Sequence, residues 1–213
     1  WMTCVGRLAF PIFAFMIAEG CYYTSNVKKY MLRLFLFAII SEIPFNLIMG
    51  SSVFYPFHQN VLWTFLLGVL SIQIIEKAKK KQKKWISFFV VCLVLLMDFL
   101  LGTITMVDYN AAGILTVLLF YFFRKKTWIS FAAQLVGLYY LNVVMLGNLY
   151  YPVTILGHHF EIAQQSFALL ALIPIWLYHG EQGYHSKWFK YFCYAFYPVH
   201  LLILVVIWQW RIR

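Results

Sequence analysis

The sequence predicts an all-α polytopic membrane protein, and three observations lead there. Hydrophobic residues make up 63% of the chain and charged residues 11%, against about 45–50% and about 25% in soluble domains. Mean hydropathy is +0.78. Apolar runs of bilayer-crossing length, roughly 17–25 residues each, follow one another with no stretch left for a soluble domain. The chain therefore reads as a single transmembrane domain, 1-213.

Eight runs fit this length: 5–24, 30–49, 60–77, 85–102, 108–123, 127–147, 160–178 and 190–210. The fifth is short for a span. Trp85, Trp128, Tyr150 and Trp188 fall near run ends, where amphipathic rings favour the interface. Prolines interrupt the first, second, seventh and eighth runs. Each removes one helical donor and frees the carbonyl four residues earlier.

The basic residues fall on alternate connections. Lys28, Lys29 and Arg33, then Lys77, Lys79, Lys80, Lys81, Lys83 and Lys84, then Arg124, Lys125 and Lys126, then Lys187 and Lys190 share one side. Arg7, Arg211 and Arg213 fall on the other. The positive-inside tendency makes the first side cytoplasmic, the orientation of a multi-pass protein in a cell membrane. Residue 1 then lies outside. With Trp1 in first place, one more helix upstream is expected.

A formal charge of +10 does not indicate nucleic acid, because the charges sit in short clusters between apolar runs and form no basic face with stacking aromatics. The expected partner is the lipid bilayer; the lysine run Lys77–Lys84 serves as a topology anchor or attracts anionic lipid. Cys4, Cys21, Cys92 and Cys193 form no Cys-x-x-Cys or Cys/His cluster, so no metal site or disulfide framework is expected. No phosphate loop, nucleophile elbow or zinc helix is present.

Polar groups inside spans are costly and mark sites by default. Glu19 lies near a span end, and Asp98 near another. Asp108 suits either a helix N-cap or a site, and Arg7 either snorkels to the interface or lines one. In "AIISEIPFNLIM", Glu42 and Asn46 are four apart and share a helix face, with Pro44 between them freeing the carbonyl of Ile40. In "YAFYPVHLLIL", Tyr197 and His200 flank Pro198. A histidine after a proline in an apolar run is either structural or a proton-transfer group. Pro11 frees the carbonyl of Arg7.

Five blocks occur in order: "GRLAFPIFAFMIAEG", "YMLRLFLFAIISEIPFNL", "QNVLWTFLLGVL", "DYNAAGILTVLLFYFFR" and "YHGEQG" with "KYFCYAFYPVHLLIL". Together they resemble the TraX family of membrane proteins over nearly the whole chain, and more distantly the polytopic membrane acyltransferases. The resemblance implies an acetyltransferase that takes its acyl group from acetyl-CoA. In the name-giving member the acceptor is the N-terminal amine of pilin. It also implies an upstream helix carrying an Asp-His pair.

Acetyl transfer needs a base for the acceptor, a stabiliser for the thioester oxygen, and alignment of the two substrates. On that chemistry His200 is the expected base, or the partner of one upstream, with Glu42 or Asp108 orienting an imidazole or binding an amine. Arg7 and Tyr197 are placed to stabilise the carbonyl oxygen, while Asn46, Asn60 and Tyr109 line the substrate cavity. Arg33, Gly180, Glu181 and Lys187 lie on the cytoplasmic side, where the coenzyme's phosphates arrive. A proton-coupled permease or flippase, or an accessory membrane subunit, is the alternative that the residues alone leave open.

Overall fold

The computed structural model describes residues 2–147, 149–155, 158–181, 183 and 186–212. Its order is α1 (Met2–Tyr23), α2 (Val27–Gly50), α3 (Val61–Lys81), α4 (Lys84–Ile104), α5 (Asn110–Phe122) and α6 (Trp128–Leu138). A hairpin of β1 (Tyr150–Ile155) and β2 (His158–Ala163) follows, then α7 (Leu172–Leu177) and α8 (Lys187–Ile212). A π-helical stretch, Tyr139–Met145, continues α6, and a 3-10 turn, Gln164–Ala171, leads into α7. The chain is an α-helical polytopic membrane protein with six helices long and apolar enough to cross a membrane.

Two of the eight expected spans are shorter. The fifth is the 13-residue α5. The seventh is not one helix: residues 160–163 belong to β2, and the rest is a 3-10 segment followed by the six-residue α7. One two-stranded hairpin is inserted in the otherwise helical chain. Tyr150 pairs with Ala163 and Ile155 with His158 in an antiparallel register, so consecutive residues that look like one apolar run are divided between strand and helix.

Side-chain caps set several helix starts. Asn26 accepts from the Lys29 N–H at 3.0 Å, Asn60 from Leu62 at 3.1 Å, and Thr127 from Ser130 at 3.2 Å, satisfying donors that a first turn leaves open. The core forms where α1, α3 and α5 meet. Phe10, Ala14, Ala18 and Cys21 recur at helical spacing on α1; Phe65, Val69, Ile72 and Ile75 do so on α3, and all are buried. Val117, Leu118 and Phe120 complete the cluster from α5. Around it, α4 packs on α3 and α5, α2 on α3, the 3-10 segment on α1, and α8 on α2. Large apolar residues such as Phe88, Phe89 and Leu93 of α4 stay exposed, as a lipid-facing surface requires.

The bundle has two chemically distinct ends. At one, Arg124 bridges to Glu19 at 2.5 and 3.1 Å, Lys79 bonds Tyr121 at 3.0 Å, and the lysine-rich α3–α4 connection stands exposed. At the other, the connections 51–60 and 105–109 join each other. Gln59 N–H donates to the Met106 carbonyl at 3.0 Å, and Asp108 N–H to the Gln59 carbonyl at 2.9 Å.

Small residues allow these helices to approach. A Cβ built on Gly102 of α4 lies 2.5 Å from the Ala111 Cα, which is backbone and cannot rotate away. Gly102→Ala is expected to lower stability by about 1–3 kcal/mol, although helix propensity alone would raise it by about 1 kcal/mol. Thermal unfolding in micelles measures which effect wins; a stabilised variant refutes the close-packing account.

Candidate functional site

The site grows from Glu42, which α2 carries about two turns before its end at Gly50. The Glu42 Oε2 accepts from the Asn60 amide and, at 3.0 Å, from the Trp63 indole. Its Oε1 is buried with no partner among the described residues. Asn60 is fully buried. The same amide donates to the Ala38 carbonyl at 2.9 Å, while its oxygen caps α3. A single side chain thus ties the start of α3 to the middle of α2.

The eight residues from Glu42 to Gly50 correspond to about 12 Å of helix. The first turn of α3 is therefore recessed by roughly that distance below the end of α2. Connection 51–60 folds back to fill the gap, and Asn46 holds it by donating to the Val53 carbonyl at 3.1 Å. The Asn46 Oδ1 and the Ser41 hydroxyl nearby are buried and unpartnered among the described residues.

The folded-back connection delivers His58. Its Nε2 faces the Asp108 Oδ1 at 3.5 Å, and its ring stacks on Phe45 at 5.6 Å. Asp108 is fixed through its carbonyl, which accepts from the buried Thr64 hydroxyl at 2.7 Å. Its carboxylate accepts from the adjacent Tyr109 N–H and does not cap α5. The helix starts instead through left-handed backbone at Tyr109 (φ 62) and Asn110 (φ 47), a conformation that side chains disfavour and that clusters at functional sites.

Arg7 and Tyr109 form the adjoining flank. Tyr109 stacks on Phe10 at 3.8 Å and lies beside Arg7. Arg7 also donates to Gln164 at 3.4 Å, and its buried Nε has no partner among the described residues. From α8, Tyr197 comes near Val61, Asp108, Glu42 and Tyr109. Seven of the residues singled out in the sequence (Arg7, Glu42, Asn46, Asn60, Asp108, Tyr109 and Tyr197) thus converge at one end of the bundle.

Among the remaining candidates, His200 borders the cluster through Tyr197, its ring 5.4 Å away, while it bonds the Phe196 carbonyl at 3.0 Å and stacks on Phe196 at 5.2 Å, all contacts within α8. Arg33 sits in the α2–α8 seam, donating to the Tyr194 hydroxyl at 3.2 Å. Gly180, in left-handed backbone at φ 80, lines a cavity at the lysine-rich end, and Glu181 is exposed beside it. The Lys187 side chain lies outside the described residues. His58 is the group the sequence reading did not single out. A histidine in a polar connection looks solvated, and its only local signal is its place two residues before Asn60.

These features define a class: a helical membrane protein with a histidine–carboxylate pair and a buried glutamate recessed at one end. The chain matches the family described as "TraX protein" over residues 1–208 and belongs to that family. It is also 26% identical over 208 residues to "Probable fimbrial assembly protein FimC, serogroup H1" of Dichelobacter nodosus, covering 94% of this chain and 80% of that relative. No solved structure matches it.

The contact with Asp108 raises the pKa of His58, and burial opposes it in part. Because the folded state holds this proton more tightly, the stability it contributes is complete below the ordinary histidine value of about 6.5. It is lost as pH rises through the raised folded value. The melting-temperature gap between wild type and His58→Gln is therefore expected to be widest in mild acid and to narrow in alkali. A gap independent of pH refutes the pairing.

Proposed function

We propose that the chain is an integral-membrane acyltransferase that moves an acetyl group from acetyl-CoA to an amine or hydroxyl acceptor. The observation that carries this reading is the His58–Asp108 pair beside Glu42. With Nε2 turned to Asp108, the carboxylate holds that nitrogen protonated and leaves Nδ1 to accept a proton, the arrangement a general base requires.

In the proposed step the acceptor nitrogen or oxygen attacks the thioester carbonyl as its proton passes to His58 Nδ1. The C–S bond then breaks, and the thiolate leaves as the free thiol of CoA after protonation. Arg7, with its unpartnered Nε, and the Tyr109 and Tyr197 hydroxyls supply donors for the carbonyl oxygen as charge develops. The free Oε1 of Glu42 suits an acceptor ammonium before deprotonation. The fimbrial name of the relative favours an amine of a fimbrial subunit as acceptor. Arg33, Gly180, Glu181 and Lys187 are proposed to meet the donor's phosphates, on the expectation that acetyl-CoA arrives at the lysine-rich face. His200 is proposed to assist proton movement along α8.

A second reading has its own support. The starts of α3 and α5 are recessed into the bundle behind folded-back connections, as in transporters whose helices break at the binding site. Proton-coupled solute flux in vesicles without any coenzyme would favour that reading.

The deciding experiment reconstitutes the protein in vesicles with labelled acetyl-CoA and a fimbrial subunit. His58→Ala and Asp108→Asn are each expected to lower transfer by about 10²–10⁴-fold without loss of the folded, membrane-inserted protein. Transfer unchanged in both variants removes the pair from the mechanism.

A further inference from the structure

Two overlapping cavities, about 250 and 740 Å³, open at the lysine-rich end, the opposite end from His58. They share Phe15, Glu19, Ile175, Tyr178 and Gly180. The smaller has a mixed lining and is rimmed by the consecutive cations Arg124, Lys125 and Lys126. The larger runs along α1 between Glu19 and Ile12 and is walled by Met16, Pro174 and Ile175. Seven residues of helix make that groove about 10 Å long.

We propose that the two cavities form one binding site for a phosphorylated amphiphile, with its phosphate at the Arg124–Lys126 rim and its uncharged stem along α1. The site shares Gly180 with the residues proposed above for the donor's phosphates, so with CoA as occupant it rests on the acyl-transfer reading, and with a lipid it stands apart from it.

The rim is organised before any ligand arrives. Glu19 holds the Arg124 guanidinium from two sides at 2.5 and 3.1 Å, and Tyr22 lies 3.5 Å beneath it. The Lys126 ammonium donates to the Trp176 carbonyl at 2.9 Å and to the Tyr178 carbonyl, which leaves one of its three donors unspent. Lys125 is exposed at the rim and has no hydrogen-bond partner among the described residues. Three cations against the single carboxylate of Glu19 leave an excess of two positive charges, close to the roughly −1.5 to −2 of a phosphate monoester at neutral pH. The rim also lies immediately before α6, whose first-turn dipole favours an anion. Past Glu19 the lining turns apolar. A small hydrophilic anion would leave that groove empty, whereas a stem would fill it.

A phospholipid and a nucleotide-linked thiol such as CoA both present this chemistry, and the test separates them. The full chain in micelles is titrated with CoA, with pantetheine, which keeps the arm but lacks the phosphates, and with short-chain phosphatidic acid. Thermal shift and calorimetry read binding. At least one phosphate-bearing probe is expected to bind, with affinity more than about tenfold weaker in Lys125→Gln/Lys126→Gln, from the loss of charge-assisted hydrogen bonds. Pantetheine is expected to bind weakly. Ile12→Trp is expected to block the stem while inorganic phosphate binding persists. A response to CoA alone identifies a nucleotide source, and a response to phosphatidic acid alone a lipid source.

Absence of binding by both phosphate-bearing probes overturns the proposal. So does equal binding by wild type and the double glutamine variant, whose exposed positions leave the fold intact. Probe binding without acetyl transfer counts against the transferase reading alone. Acetyl transfer with an unchanged KM in the double variant counts against CoA as the occupant of this site and leaves the lipid arm to decide the rest.

Discussion

The Asn60 clasp is the contact on which the arrangement of this end depends. One buried amide satisfies Glu42, the Ala38 carbonyl and the first turn of α3 together. Without it, the Glu42 carboxylate would keep only the Trp63 indole and the start of α3 would lose its cap in a low-dielectric interior, at a cost of several kcal/mol. Because the clasp lies about two turns inside α2, connection 51–60 must fold inward, and that inward path sets His58 beside Asp108. The Gln59–Val107 backbone bridge then ties the start of α5 to the start of α3. A requirement to satisfy polar groups inside a membrane protein thus leads by short steps to a cluster of ionisable side chains.

Much of this was present in the residue pattern. The i, i+4 spacing of Glu42 and Asn46 around Pro44 marked the polar face of α2, unusual polarity marked Arg7 and Asp108, Tyr197 stood out beside Pro198, and Asn60 entered only with the chemistry the family resemblance implies. What stayed hidden depends on pairing between distant segments. His58 acquires its partner only because residues 59 and 107 meet, and nothing near either position encodes that meeting. The hairpin was hidden for a related reason. β1 lies between two apolar runs and only residues 160–163 of β2 merge into one, and the register Tyr150 to Ala163 exists only once the chain turns back. Asp108 read equally well as a cap. The left-handed backbone at Tyr109 and Asn110 decides otherwise.

The charges describe a molecule with two faces. Fourteen of the 17 basic residues lie on the connections of one end, with Glu19 paired and Glu76 bonded to Tyr121. The opposite end gathers Glu42 and Asp108 with Arg7, which donates to Gln164. Each end suits different chemistry: anionic groups at the lysine-rich face, proton acceptors at the other. Membership of the TraX family and likeness to a fimbrial assembly protein place this polarity in a family whose members lie in membranes.

The 13-residue α5 has one more implication. At 1.5 Å per residue it is about 20 Å long, against roughly 30 Å for the hydrocarbon layer of an ordinary bilayer. It is packed inside the bundle, so the folded-back connections, which bring polar groups inward from one side, make up the difference. For any proton, charge or chemical group handed between the two ends, the insulating layer is therefore about a third thinner here than in the surrounding membrane. A short helix in the middle of the bundle acts as a local lowering of the dielectric barrier.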